Sequence, residues 1–369
     1  MTQLDHATTV RVAHADLLRV TAAIFAARGV PQQKAALAAE ALCYGDLAGM
    51  SSHGLVNLTR LYLPLFDEGR VDPVAEPETL TDLGAAVLVD AHRALGLWAA
   101  AQAVDLAAAR AAAYGVGMVS VRNATHFGCA GFHAARAAHR DMIGVVAANC
   151  GRQRIAPPPG GRAALLGTNP LSVAAPALPG HPFVLDMSTT AAPTGRIRAA
   201  ARAGDPVPAE WLADDDGRPV TDPTAFDRGT AHLRWLGGDA GQHKGFGLGL
   251  AVEVLAALLP GAGLGPAPEA LTGDGSGRDD DIGFLALVIA PGALRRTEDF
   301  LVGAESLFGT LLACPPRPGH TVRYPGWHEA RRCRDQRANG VALPNTVHRE
   351  LRDAAEALGI APVLRQGTC

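Results

Sequence analysis

A chain of 369 residues has room for roughly two or three domains with substantial cores. Its net charge of −3 offers no basic field for a nucleic-acid backbone, so nucleic acid is an unexpected partner. With 48% hydrophobic and 19% charged residues it has the balance of an ordinary soluble globular protein. The start MTQLDHATTV lacks the basic opening and apolar core of a signal peptide. The six cysteines are scattered, with no CxxC pair, no HExxH and no close Cys/His quartet. These features predict a cytoplasmic protein with reduced thiols and no bound metal.

In chain order, residues 15–29 and 31–48 read as two helices, the second opened by Pro31. SSHGLVNLTRLY follows at 51–62, where Leu55, Leu58, Leu61 and Tyr62 repeat at helical spacing until Pro64 ends or bends the run. Near residue 75 the texture changes. Short apolar runs (AAVLVD, VGMVSV, IGVVAANC, FVLDM, FLALVIA) alternate with alanine-rich helices such as 97–113, which predicts an α/β domain with buried strands. Residues 198–242 are rich in Gly, Asp, Pro and Arg and read as a loop-rich insert. The apolar stretch 245–263 carries Glu253 and stops at Pro260, which predicts a buried helix and no membrane span. From about residue 315, EARRCRDQRA and PNTVHRELRDAAEALG return to helix. The domain division expected is 1–75 helical, 76–314 α/β and 315–369 helical.

A sheet-and-helix chain rich in glycine raises the question of dinucleotide binding. The string G-x-G-x-x-G does not occur, since GVGMVS at 115 and GAGLGP at 261 both lack the last glycine. A Rossmann reading therefore fails on its own fingerprint.

Four segments carry a different resemblance: SSHGLVNLTRLY at 51, RNATHFGCAGFHAARAA at 122, GTNPLSVAAP at 167 with FVLDMSTTAAPTGRI at 183, and HKGFGLGLAVEVL at 243. In this order and spacing they resemble the malate/L-lactate dehydrogenase family of the non-Rossmann type. That family includes ureidoglycolate dehydrogenases, diketogulonate reductases and piperideine-2-carboxylate reductases. The likeness extends from about 12 to 360, through DDDIGFLALVIAP and RYPGWHEARR…GVALPN. It implies a non-Rossmann α/β fold: a large central sheet domain for the cofactor and a helical domain made from both chain ends. It also implies a homodimer, with the active site near the domain and subunit interface.

The resemblance assigns residues as well. Ser52, His53 and Asp186 form a proton relay in which the carboxylate orients the imidazole. Some members give the acid/base role to the histidine matching His126, so both are candidates, and we favour His53. The cofactor surface comprises Cys150, Asp186, Met187, Ser188, Gly195, Arg196, His243, Lys244 and Gly245. Taken singly, His53 also reads as a turn residue, Asp186 as a strand end and Lys244 as a surface lysine.

One departure bears on the substrate. Where many members have an arginine that holds the substrate carboxylate, this chain has Asn57, and their tyrosine position is Leu61. An amide hydrogen-bonds a carboxylate without neutralising it. Arg60, seven residues after His53, returns to nearly the same helix face and is expected to take over that clamp, with His126 also at the substrate. The function implied is an oxidoreductase using NADH or NADPH to move hydride to or from C2 of a small 2-oxo or 2-hydroxy acid. A cyclic imine carboxylate reductase is the alternative. A ligand-binding protein without catalysis is a third reading, kept open by Asn57.

Overall fold

The computed structural model describes residues 9–272 and 278–361, together with Leu364. In chain order the elements are β1 (Thr9–Val12), α1 (His14–Ala27), α2 (Gln32–Ala48), α3 (Leu63–Asp67), β2 (Glu78–Asp82), β3 (Ala86–Asp90), α4 (Gly96–Tyr114) and β4 (Val116–Ala124). They continue with α5 (Ala130–Ala138), β5 (Ile143–Ala148), β6 (Leu171–Leu178), β7 (His181–Met187), α6 (Thr194–Ala203), β8 (Leu212–Ala213), β9 (Pro219–Val220) and α7 (Thr224–Asp227). The last are β10 (His232–Leu233), α8 (Gly238–Glu253), β11 (Ile282–Ile289), α9 (Thr297–Ala313), α10 (Trp327–Asn339), β12 (Val341–Pro344) and α11 (Asn345–Ala357).

The centre is a seven-stranded sheet in the order β2-β3-β4-β11-β5-β6-β7. Only β3 and β4 run parallel; the remaining neighbours are antiparallel. Side chains alternate across each strand, and the two faces have different covers. Val146 and Ala148 of β5, Ala174 of β6 and Phe284 of β11 belong to the main core, which takes in α4 and α5. Ala147 of β5 and Leu171 of β6 face the other way, onto Val252 and Ala256.

That second cover corrects the expected buried helix at 245–263. α8 and the π turn Val254–Leu258 press one side onto the sheet, while Leu248, Leu250, Val254, Leu255, Leu258 and Leu259 lie exposed. α9 likewise leaves Val302, Leu307 and Leu311 outside. Apolar residues all round a helix predict two buried sides, and this chain alone supplies a partner for one. Among the described residues no helix is long and apolar enough to cross a membrane.

The stretch 198–242 also differs from its reading as loops. It begins with the end of α6 and includes the three-stranded sheet β10-β8-β9. Ile197, Val207, Leu212, Leu233 and Trp235 give this unit a small core of its own. Finally, the chain ends meet: β1 pairs antiparallel with β12, from Thr9 opposite Pro344 to Val12 opposite Val341. α2 packs on α4 of the sheet layer and also on α10, which brings the segment after α2 to the edge of the sheet.

Candidate active site

The segment after α2 begins with a left-handed turn at Gly49 and a tight 3-10 turn, Ser51–His53. Its close seat on α2 is possible because both surfaces lack side chains. A Cβ on Gly45 would lie 2.6 Å from the Gly54 nitrogen and 2.7 Å from the His53 carbonyl carbon. Within the turn the Ser52 hydroxyl lies 2.9 Å from Nδ1 of His53, and Asn57 Nδ2 donates to the Ser52 carbonyl at 2.9 Å. Asn57 thus ties down the backbone beside His53.

The loop carrying His126 leaves β4 and is fixed from α4: the Gly96 N–H donates to Thr125 Oγ1 at 2.9 Å, and that hydroxyl donates to the Ala94 carbonyl at 3.1 Å. Gly128 has φ +81°, a left-handed backbone that favours glycine, and its N–H donates to Nδ1 of His126 at 3.2 Å. The Tyr62 hydroxyl lies 2.8 Å from the same nitrogen. His133 of α5, fully buried, reaches the Phe127 carbonyl at 2.8 Å.

The two segments bring the imidazoles of His53 and His126 together, with ring centroids 6.1 Å apart and planes inclined by 20°. Burial, then the charges of His126 and Arg196, hold His53 down at about 4. Burial lowers His126 too, opposed by Asp279. Both rings are therefore neutral at pH 7 in the absence of a bound anion.

Tyr62 was not anticipated, because the matching tyrosine position is Leu61. The helix after Asn57 opens as a π turn, Leu58–Tyr62, which takes an extra residue per turn and delivers Tyr62 to His126. Its only sequence signal was a place in an apolar repeat. Arg60, on the same turn, has another partner than a substrate: its guanidinium pairs with Glu350 of α11 at 3.2 Å, and Thr59 donates to that carboxylate at 3.1 Å.

Asp186 makes a different contact from the one expected. Its Oδ2 accepts the Gly131 N–H of α5 at 2.7 Å, and the bonded neighbour of His53 is Ser52. Burial raises this carboxyl to about 6. Beside it lies a cleft of about 340 Å³ lined by Tyr44, Met50, Asp186, Arg323, His328 and Glu329. Arg323 and His328, whose side chains touch, were not singled out from the sequence.

The remaining predicted residues form a continuous strip. Met187 ends β7, and Ser188 Oγ donates to the Thr190 carbonyl at 3.1 Å. Thr189 binds the Thr168 carbonyl, and Thr168 Oγ1 lies 3.4 Å from Cys150 Sγ. Gly245 sits against Leu236 and the Thr189 carbonyl, so the first turns of α8 abut the strip with His243 and Lys244 exposed. On the other side a Cβ on Gly195 would lie 2.6 Å from Cβ of Ser52, which sets Arg196 at the rim of the histidine pair. Among the described residues neither Lys244 nor Arg196 has a carboxylate partner. Their charges are free for an anion.

Paired histidines fit several chemistries; similarity narrows them. Residues 12–352 match the family model described as malate/L-lactate dehydrogenase. The chain belongs to the malate/L-lactate dehydrogenase family. It is thereby an oxidoreductase of the dehydrogenase type. It is 32% identical over 327 residues to a (2R)-3-sulfolactate dehydrogenase (NADP(+)) of Chromohalobacter salexigens, covering 88% of this chain and 92% of that protein. The fold superimposes on malate dehydrogenase from Entamoeba histolytica with a TM-score of 0.88 at 27% identity, over 96% of this chain and 99% of that one. It also superimposes on delta1-piperideine-2-carboxylate reductase from Pseudomonas syringae pvar. tomato, with a TM-score of 0.81 at 28% identity over 94% and 99%. The non-Rossmann fold expected from the four segments is thus the fold of the chain.

Proposed function

We propose that this dehydrogenase moves a hydride between a nicotinamide dinucleotide, NADH or NADPH, and C2 of a small 2-oxo or 2-hydroxy acid. The observation that carries the reading is the stacked pair His53–His126, with Gly195 against Ser52 and the cations Arg196 and Lys244, which have no carboxylate partner among the described residues. Asp186, Met187, Ser188, Gly195, Arg196, His243, Lys244, Gly245 and Cys150 would hold the cofactor, with Lys244 and Arg196 toward its phosphates. The cofactor supplies or accepts the hydride when bound.

The protein's part is the proton. Nδ1 of His126 accepts the Gly128 N–H, so the neutral ring carries its proton on Nε2. A second proton would break that bond, which suits His126 to donating a hydrogen bond to substrate rather than to carrying charge. Among the described residues His53 has one hydrogen-bond partner, the Ser52 hydroxyl at Nδ1, which leaves Nε2 to give or take a proton at the substrate oxygen. Anionic ligands favour its charged form. The Asn57 amide, already spending one hydrogen on Ser52, contributes no charge to the carboxylate.

The same hydride and proton geometry serves a cyclic imine carboxylate, and Asn57 in place of an arginine favours keeping that second substrate class. A ligand-binding protein without catalysis is disfavoured by the retained Ser52, His53 and His126. The exposed apolar sides of α8 and α9 support a homodimer as the working form. A panel of keto acids and cyclic imines, followed by the absorbance of NADH or NADPH, tests the reading. Lys244→Ala should weaken cofactor binding by about 1–3 kcal/mol. Calorimetry showing no binding of either dinucleotide by the intact protein would overturn the function.

A further inference from the structure

Among the buried acids that the mechanism does not use, one stands against the His53 turn. Asp46, on the last turns of α2, is 5% exposed, and its Oδ2 accepts the Leu55 N–H at 2.6 Å. A Cβ on Gly54 would lie 2.3 Å from that oxygen, so the turn reaches the carboxyl only because Gly54 has no side chain. The same end of α2 is held from the opposite direction. Gln336 of α10 donates to the Asp46 and Leu47 carbonyls, both at 2.8 Å, and its Oε1 accepts the Ala342 N–H at 2.8 Å.

Keeping a carboxyl there is costly, since burial raises it to about 7 against the bond from Leu55. An apolar residue would avoid that cost but leave the buried Leu55 N–H without its acceptor. What the acid adds is a fixed point on the far side of His53: Asn57 ties the turn at Ser52, and Asp46 ties it at Leu55. Between these anchors the backbone of His53 has little freedom.

We propose that Asp46 is a positioning residue for the acid/base chemistry, holding the Ser51–Leu55 turn so that His53 stays registered on the substrate oxygen. The inference rests on the reading of His53 as the proton-carrying group. A displacement of about 1 Å of such a group can cost on the order of 10²-fold in rate. Asp46→Ala should therefore lower kcat by about 10- to 100-fold, with KM and dinucleotide affinity changed by no more than about threefold. Asp46→Asn keeps an acceptor oxygen and should recover most of the rate. Gly54→Ala drives a methyl onto the carboxyl and should reproduce the loss of kcat, whether or not Asp46→Ala folds.

Hydrogen exchange supplies a readout that general destabilisation would not copy. In Asp46→Ala the Leu55 amide should lose protection while amides of α1 and β4 keep theirs. A kcat unchanged in Gly54→Ala, or an Asp46→Asn variant as impaired as Asp46→Ala, overturns the proposal. His53→Ala, run alongside, separates the two levels. If it turns over normally, the functional reading has failed. If it is inactive while Gly54→Ala is fully active, only the role of Asp46 has.

Discussion

The two histidine segments look alike in sequence, SSHG and THFG, yet the fold treats them in opposite ways. The 51–57 turn is held by its backbone, through Leu55 N–H and the Ser52 carbonyl, and among the described residues the His53 ring has one hydrogen-bond partner, the Ser52 hydroxyl. The 125–128 loop is held partly through the ring itself, whose Nδ1 receives Gly128 and Tyr62. A ring used as a structural acceptor is committed to one protonation state. A ring supported from behind can change its own. In the function proposed above, that difference is the reason for giving the moving proton to His53.

The comparison breaks most directly with paired alanine variants. His53→Ala should lower kcat by about 10² to 10⁴ with cofactor affinity little altered, whereas His126→Ala should fall chiefly in KM. Steady-state kinetics giving the larger kcat loss to His126→Ala would reverse the assignment.

Proton linkage sharpens it next. His133, pinned to the loop at Phe127, is held at about 4 by burial, below its ordinary 6.5. Its contribution to stability is present above 6.5 and is lost as pH falls toward 4. Asp46 behaves oppposite in sign: raised from 3.8 to about 7, it contributes stability at low pH that is lost as pH rises through that interval. Urea unfolding should show the wild type gaining on His133→Asn between pH 4 and 6.5. It should show the wild type losing to Asp46→Asn between pH 4 and 7, each by at most about 1.4 kcal/mol per pH unit. Parallel curves for wild type and variants would remove the contrast.

Tyr62→Phe tests the ring-held loop more gently. Loss of one hydroxyl at His126 should raise KM several-fold, in keeping with about 1 kcal/mol for a hydrogen bond, while Gly128 still fixes the tautomer. A change confined to kcat would contradict the substrate-binding role of His126. The smallest effect is expected at Arg60→Ala. Its partner Glu350 is on the protein surface, so stability should change by less than about 1 kcal/mol and KM hardly at all. A sharp rise in KM for carboxylate substrates would restore Arg60 as a clamp.

How much of this was legible in the chain depended on whether the signal was local. α1, α2 and α4 lie within one or two residues of their expected bounds. The strands were visible as apolar runs, but nothing in a run says that β11 inserts between β4 and β5. Strands as short as Leu212–Ala213 and His232–Leu233 carry no period, so the small sheet around Trp235 read as loop. α9 was not singled out at all, although Phe300, Ala304, Leu307, Phe308 and Leu311 recur at helical spacing. At the site, His53 and His126 were found through their motifs. Tyr62, Asp46 and the partner of Arg60 depend on long-range packing and a local change of helical pitch, which spacing rules assume away.

That change of pitch has a consequence for how the chain tolerates length. A π turn is what remains when a helix absorbs one additional residue without breaking its flanks. Leu58–Tyr62 therefore acts as a one-residue buffer between Asn57 and Pro64. Deleting a single residue such as Thr59 would let the turn relax to an ordinary α-helix, shortening the chain while both ends of the segment stay in place.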